Sequence, residues 1–380
     1  MRILHTSDWH IGRQFHQVTL LEDQRHVLQQ IVTIAKEQEV EVVIIAGDLY
    51  DRAVPPASAV ALLDEILRQF THDLQIPVML ISGNHDSPER LNFASTHLAE
   101  ADLYMLGKLT SNIKPIHLHD EHGVVQFYGL PYADPMMVRD SFDHAEDVKT
   151  HDDAMRFLIE QSAVDTKQRN VLLSHCFVGG AEACDSERPL SIGGADQVSS
   201  AHFKDFDYVA LGHLHGRQYR SEAHIRYSGS IMKYSFSEEK HIKSVTIVDM
   251  DAEGKCEIEQ VELKPLRNMR TLEGSLEELL EQGKEDAHAE DYLLIRLTDT
   301  HAILEPMQKL RAVYPNVLHL ERPGLLANNG RTTAQREKML KGEWNMFEDF
   351  YQQVHGEALS DAQQDVVKDI LKTLHNSEAS

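Results

Sequence analysis

Five short polar blocks follow or close apolar, β-like runs, and together they carry seven side chains able to bind a metal ion. The blocks are Asp8-Trp9-His10, Gly47-Asp48-Leu49-Tyr50-Asp51, Gly83-Asn84-His85-Asp86, Ser174-His175 and Gly212-His213-Leu214-His215. Ligands in α/β sheets gather at the carboxyl ends of parallel strands. A fold that unites these blocks therefore needs several parallel strands ending at one place.

The chain between the blocks predicts such a fold. Ile3 to Ser7, Val40 to Ala46 and Val78 to Ser82 are apolar and β-branched, as strands covered on both faces are. Thr19 to Gln38 and Ala57 to Phe70 carry apolar residues at helical spacing. A β-α-β-α-β rhythm implies parallel strands with right-handed crossovers. Further strands are expected at Val124 to Leu130, Val171 to Ser174 and Tyr208 to Gly212, then at His224 to Ser228, Ser244 to Val248 and Cys256 to Glu262. The last three are short and turn-separated, and read as antiparallel. The fold class is α/β, a sandwich of two sheets with flanking helices.

Past about Pro265 the pattern changes. Helices are expected at Ser275 to Gln282 and Leu304 to Val313, and strands at Tyr292 to Leu297 and Val317 to Leu320. This gives a division into residues 1–268, a small α/β unit at 269–323, a linker at 324–342 and a helical pair at 343–380. The first helix of that pair carries Trp344, Phe347, Tyr351 and Val354; the second opens on a capping-box pattern at Ser360-Asp361-Ala362-Gln363.

Each block supplies a different kind of ligand. Asp8 and His10 stand two apart, so at a strand end both side chains point to one side. Asp48 follows a buried strand, where a lone ionised carboxylate is costly unless cations accompany it. Asn84 offers a neutral carbonyl oxygen. His175, His213 and His215 complete the set. The division assigns Asp8, His10, Asp48 and His215 to one metal and Asp48, Asn84, His175 and His213 to the other, with Asp48 shared. Two metals about 3.5–4 Å apart acidify water and clamp an in-line displacement at phosphorus. His85 is left for general acid chemistry, with the Asp51 carboxylate as acceptor for its second ring nitrogen. Imidazole, carboxylate and amide donors favour manganese, iron or zinc over thiophilic ions. His5, His16, His26, His72 and His117 read as surface or core histidines.

Bulk properties narrow the class. No apolar run approaches the roughly 18 residues of a membrane span, and the start lacks signal-peptide features. The three cysteines, Cys176, Cys184 and Cys256, form no C-x-x-C pair, which fits a reducing cytoplasm. The net charge of −24 argues against a nucleic-acid partner only weakly, because binding depends on where charge lies. Lys309 to Lys341 holds seven basic residues against Glu321 and Glu337, and His213 to Lys243 holds six against Glu222, Glu238 and Glu239. Such runs ordinarily mark a solvated face.

In this order the blocks resemble the calcineurin-like metallophosphoesterase superfamily. His5-Thr6-Ser7-Asp8-Trp9-His10-Ile11-Gly12-Arg13, Ala46 to Asp51, Ser82 to Ser87, Ala210 to His215 and Tyr227-Ser228-Gly229-Ser230 are closest to its double-strand-break-repair nuclease branch. By motif the resemblance covers residues 1–265. It implies a four-layer β-sandwich and a manganese-dependent enzyme, a 3′-to-5′ exonuclease on duplex ends and an endonuclease on hairpins or blocked ends. It implies double-stranded and hairpin DNA as substrates, a partner ATPase of the SbcC type (SMC-like, with long coiled coils), and a homodimer within a heterotetramer. Residues 269–323 would be a capping domain touching DNA, and 343–380 a helical pair docking on the coiled coil. The alternative on the same fold is a phosphomonoesterase or cyclic-nucleotide phosphodiesterase. That branch typically ends its block G-N-H-E, whereas Asp86 stands here.

Overall fold

The computed structural model describes residues 1–187, 190, 196–301 and 303–323, and in the C-terminal segment 347, 348, 350–352, 354, 356–367 and 370. The chain divides into two compact units, Met1–Asn268 and Met269–Ser380.

Two six-stranded sheets form the first unit. From edge to edge one contains Cys256–Glu262, Ser244–Met250, Arg2–Thr6, Val42–Ile45, Val78–Ile81 and Leu103–Leu106. The other contains Gln218–Arg220, Glu222–Tyr227, Tyr208–Gly212, Arg169–His175, Gly123–Leu130 and Ile116–Asp120. Alternate residues of both sheets meet in one core. Ile3, Val42, Ile44, Met79, Ile81 and Val248 come from the first; Val125, Phe127, Val171, Leu173, Tyr208 and Ala210 come from the second. The opposite face of the second sheet (Tyr128, Leu130, Leu172, Val209, Leu211) packs with Val138, Ala154, Met155 and Leu158. Those come from helices Pro135–Ser141 and His151–Gln161, the latter closed by a Thr150/Asp153 capping box. In the first sheet the alternate residues Leu4, Val43, Ile45 and Leu80 are fully buried too. So are the inner faces of helices Leu21–Glu37 and Ala57–Arg68. A sandwich with helices on its outer faces is the expected architecture.

Pairing differs from expectation at one strand. Glu222–Tyr227 runs parallel to Tyr208–Gly212 and antiparallel only to the short Gln218–Arg220. Shortness and nearby turns do not fix pairing direction, because an edge hairpin can still add its second strand parallel to the sheet. Ser244–Met250 is antiparallel to both of its neighbours, as expected. Strands Leu103–Leu106 and Ile116–Asp120 carry charge or partial exposure and give no continuous apolar run to read.

In the second unit Met269–Gly274, Tyr292–Leu297 and Val317–Glu321 make a parallel three-stranded sheet. Helices Leu276–Gly283 and Pro306–Arg311 cross between them, and Leu279, Leu293, Ile295, Leu310, Tyr314 and Val317 form its core. Of the expected helical pair, residues 361–367 are helical, as are 347, 348, 350–352 and 354. The 324–342 linker and Trp344 lie outside the described residues.

The far rim of the second sheet is tied by a buried ion pair. Arg169 donates to both carboxylate oxygens of Asp120 at 2.8 and 2.6 Å, and to the Gly123 carbonyl. The Arg169 hydrogen bonds hold the Asp120 carboxyl well below the usual carboxylate range. A depressed carboxyl contributes stability above its unfolded pKa, near 4, and loses it as pH falls further. Asp120→Asn should lower unfolding stability at pH 7 by about 3 kcal/mol, because it strands a buried guanidinium. It should also flatten the loss of stability on acidification below about pH 4. Denaturant titrations of both proteins across that range measure the two effects.

Candidate metal centre

All five blocks stand where the carboxyl ends of five parallel strands converge. Arg2–Thr6, Val42–Ile45 and Val78–Ile81 are consecutive parallel neighbours in one sheet. Arg169–His175 and Tyr208–Gly212 are parallel neighbours in the other, with Gly212 in register with His175. The two edges touch. The His175 Nδ1–H donates to the Ala46 carbonyl at 2.9 Å, and the His213 amide donates to Asp8 Oδ1 at 3.0 Å. Approach this close depends on the glycine heading three of the blocks. A methyl on Gly212 would overlap the Ala46 carbonyl oxygen, and one on Gly83 would overlap the Asp48 carboxylate.

Strand alternation is not what aims Asp8 and His10. The strand stops at Thr6, and Asp8, His10, Asp48 and His213 all adopt positive φ, at 52°, 44°, 50° and 105°. Such conformations cost of order 1–3 kcal/mol each and persist only where surroundings fix them. Here a second ladder fixes them. Asp8, His10 and Ile11 donate their amides to Gly47, Asp48 and Leu49 at 2.8–3.0 Å, so the two loops run side by side beyond the sheet.

The side chains then meet. Asp48 Oδ1 accepts the His85 amide at 2.9 Å. Its Oδ2 lies 3.7 Å from His10 Nε2 and 3.6 Å from His175 Nε2. One carboxylate oxygen thus faces an imidazole of each ligand set. On one side His10 Nε2 and His215 Nε2 approach to 3.0 Å, and both rings can gather around one centre with Asp8. On the other side Asn84 Oδ1 lies 3.0 Å from His175 Nε2 and 3.4 Å from His213 Nδ1. All seven ligand candidates are brought together, and Asp8, Asp48 and His175 form a second such group.

The electrostatics fit cations between these groups. Burial, reinforced by Asp48, pushes the Asp8 carboxyl well above its usual range, and burial lifts Asp48 to about 6. Burial lowers His175 to about 3 and His215 to about 4, and drives His10 and His213 well below the ordinary histidine value. Neutral imidazoles with lone pairs aimed inward, beside buried carboxylates that resist ionising alone, are a donor set that divalent metals complete. The residues present fit two such ions.

His85 stands beside this set, its ring edge-on to His10 at 4.8 Å between centroids. Its Nδ1 donates to the main-chain carbonyl of Asp51 at 2.9 Å, not to the carboxylate as expected. The Asp51 carboxylate turns instead toward Arg13, at 3.3 Å. The outcome for His85 is unchanged, because a carbonyl also fixes the proton on Nδ1 and leaves Nε2 for the site.

Several supporting residues escaped the sequence reading. Gln24, buried in helix Leu21–Glu37, donates to the His10 carbonyl at 2.7 Å and accepts the Gly12 amide at 3.0 Å, pinning the first loop. Asp86 accepts amides from Leu49, Tyr50 and Gly83, so one carboxylate staples two ligand loops; burial lifts it to about 7. Glu238 is fully buried beside His215 Nδ1 at 3.4 Å and takes a hydrogen bond from Lys243 at 2.5 Å. Burial pushes its carboxyl up, but Lys243 and His215 outweigh that and hold it well below its usual range. Ser186 Oγ bridges His215 Nδ1 and Glu238, and the Glu187 carboxylate accepts the His215 amide at 2.5 Å. No local spacing announces these contacts. Asp86 alone lies inside a recognised block.

The chain is similar to proteins of known family. Residues 1–217 match the model of the calcineurin-like phosphoesterases, and residues 265–355 match a model described as the type 5 capsule protein repressor C-terminal domain. A Staphylococcus epidermidis protein, named as the SbcD component of the nuclease SbcCD, is 34% identical over 380 residues, covering 100% of both chains. The chain belongs to the SbcD family of calcineurin-like phosphoesterases. Among solved structures, TT1561 of Thermus thermophilus is 14% identical at a TM-score of 0.40, covering 69% of this chain and 99% of its own. A dimetal phosphatase from Danio rerio is 11% identical at 0.38, covering 70% and 98%. Membership of the phosphoesterases implies divalent metals, and the donor set accommodates them.

Glu238 gives a direct check on how His215 is held. Glu238→Gln removes the charge that orients this imidazole, and metal affinity at the His10/His215 position should fall about 10–100-fold. Manganese titration followed by calorimetry, with circular dichroism to confirm folding, measures it.

Proposed function

We propose that this protein is the nuclease subunit of an SbcCD-type complex: a DNA phosphodiesterase that uses two metals, in the cell manganese. It would degrade duplex ends as a 3′-to-5′ exonuclease and open hairpins or blocked ends as an endonuclease, in the cytoplasm, together with an SbcC-type ATPase. The single observation that carries the two-metal reading is the Asp48 Oδ2 atom, within 3.7 Å of an imidazole from each ligand set. The full-length likeness to a named component of SbcCD supports the substrate class.

When bound, the two cations supply an acidified water and neutralise charge on the phosphate. The residues of the chain do the rest. Asp48, whose Oδ2 faces both His10 and His175, would serve both ions. His175, with its proton committed to the Ala46 carbonyl, presents Nε2 as a lone pair. His85, with Nδ1–H on the Asp51 carbonyl, offers Nε2 to protonate or stabilise the departing oxygen. Asp51 acts through its main chain on His85 and through its carboxylate on Arg13. Residues 269–323 would cap the site over DNA, with 324–342 as a linker. Residues 343–380 would dock on the ATPase coiled coil: Phe350, Val354, Val366 and Ile370 are all more than 45% exposed, an apolar stripe suited to a partner helix. A homodimer within a heterotetramer completes the assembly.

Two measurements test this reading. With manganese, the protein should cleave labelled hairpin DNA far faster than p-nitrophenyl phosphate; cutting of the small ester alone, even with the ATPase added, would overturn the nuclease assignment. His85→Gln should lower turnover by about 10²–10⁴-fold, the range of general acid catalysis, while two metals still bind. Metal titration beside single-turnover kinetics separates the two effects, and a parallel fall in occupancy would place His85 among the ligands instead.

A further inference from the structure

Six basic residues lie between His213 and Lys243. Two are consumed locally. Lys243 pairs with Glu238, and Lys233 donates to the Glu239 carbonyl and to Asn268. The other four, Arg217, Arg220, Arg226 and Lys240, line one groove together with Tyr219 and His241. Among the described residues Glu182 is the single carboxylate lining it. Among the described residues none of the four cations forms an ion pair. Arg220 donates to the Gln218 amide oxygen at 2.6 Å and its buried Nε has no partner; Arg226 donates to the Ala223 carbonyl at 3.2 Å. In a chain of net charge −24, four unneutralised cations side by side repel one another, and an entering anion relieves that cost.

The groove also carries a flat platform. Tyr219 is 54% exposed, and the Arg226 guanidinium lies 5.3 Å from its ring centroid. Tyrosine backed by arginine is a surface on which a nucleobase stacks, whatever its identity. The position ties the groove to the metal centre. Its wall includes Gly216, the residue directly after the ligand candidate His215, and His241, whose Nδ1 is 3.9 Å from the carboxylate of Glu238, the partner of His215. Consecutive Cα atoms are about 3.8 Å apart, so this part of the groove wall stands one residue along the chain from a ligand candidate.

We propose that this groove binds a single-stranded nucleic-acid segment and leads it to the metal centre. Its phosphates lie on Arg217, Arg220, Arg226 and Lys240, and one base stacks on Tyr219. The proposal rests on the nuclease reading and names the path of the strand beside the scissile bond. Spaced cations with an aromatic between them match a backbone with one negative charge and one flat base per unit, which an acidic peptide does not supply.

The test uses the full-length protein, labelled oligothymidylate and calcium-containing buffer, with anisotropy followed across a salt series. The double variant Arg217→Gln/Arg226→Gln should bind about tenfold more weakly. Its plot of log affinity against log salt should be shallower by about 1.4, the value for two lost single-strand phosphate contacts. Tyr219→Ala should weaken binding about tenfold at an unchanged slope, as loss of stacking without loss of charge requires. Equal affinity and slope in all three proteins would overturn the groove. A variant-free arm guards against misfolding: photocrosslinking of 4-thiothymidine oligonucleotide to the wild type should label the peptide containing Tyr219, and labelling only elsewhere would overturn the proposal. Wild-type cleavage of hairpin DNA, run alongside, keeps the two readings apart. If hairpins are cut but the groove neither labels nor matters, only the groove falls; if the wild type neither binds nor cuts DNA, the nuclease reading falls with it.

Discussion

A buried carboxylate that faces imidazoles on both sides governs the architecture around it. Asp48 has its Oδ1 committed to a backbone amide and its Oδ2 turned to His10 and His175, in a pocket where its side chain is only 2% exposed. Removing such a charge from water is costly, and burial already lifts its pKa to about 6. Burial, reinforced by Asp48, also pushes its neighbour Asp8 well above the usual carboxylate range. The surrounding histidines are held neutral by the same burial, so they cannot repay the cost as cations. Divalent metals can, and the fold keeps the electrostatic problem in place for them to solve.

Holding that arrangement requires two sheet edges to meet more closely than most backbones allow. Glycine at 83 and 212 removes the atoms that would collide, and the ladder between residues 8–11 and 47–49 fixes the left-handed conformations of three ligands. Around it lies a shell of buried polar groups whose bonds are nearly all satisfied: Gln24 under the first loop, Asp86 between the second and third, Glu238 with Lys243 behind His215. Gln24 and Asp86 hold the loops that carry the ligands, while Ser186 and Glu238 orient the His215 ring itself. Tautomers are set the same way, His175 by the Ala46 carbonyl and His85 by that of Asp51.

Net charge and local charge point in opposite directions here. A total of −24 would repel a polyanion at long range, although screening confines that effect to about 10 Å at moderate salt. Within that distance the metal centre and the groove at Arg217, Arg220, Arg226 and Lys240 set the potential a ligand meets. The basic run that in sequence looks like an ordinary solvated face separates in space into Lys243 behind His215, Lys233 bonded to Glu239 and Asn268, and four cations that line one groove without an ion pair among the described residues. Sequence distance cannot make that separation, because pairing with Glu238 depends on which side chains the turn at residues 231–243 folds inward.

The sequence by itself determined three of the four parallel strands of the first sheet, the helices between them, and the seven ligand candidates, because apolar runs of strand length and glycine-led polar blocks are local signals. It did not reveal that Asp8, His10, Asp48 and His213 leave the extended conformation, nor that Asp51 turns to Arg13 and serves His85 only through its carbonyl. Gln24, Glu187 and Glu238 were likewise invisible, since a polar side chain on a helix or in a turn reads as solvated until the chain around it closes. The pairing direction of Glu222–Tyr227 was also settled only by its place beside Tyr208–Gly212. Local chemistry specifies which atoms are available to a metal. Only tertiary packing decides which of them are desolvated, held and aimed, because those properties belong to groups more than two hundred residues apart, such as Asp8 and His213.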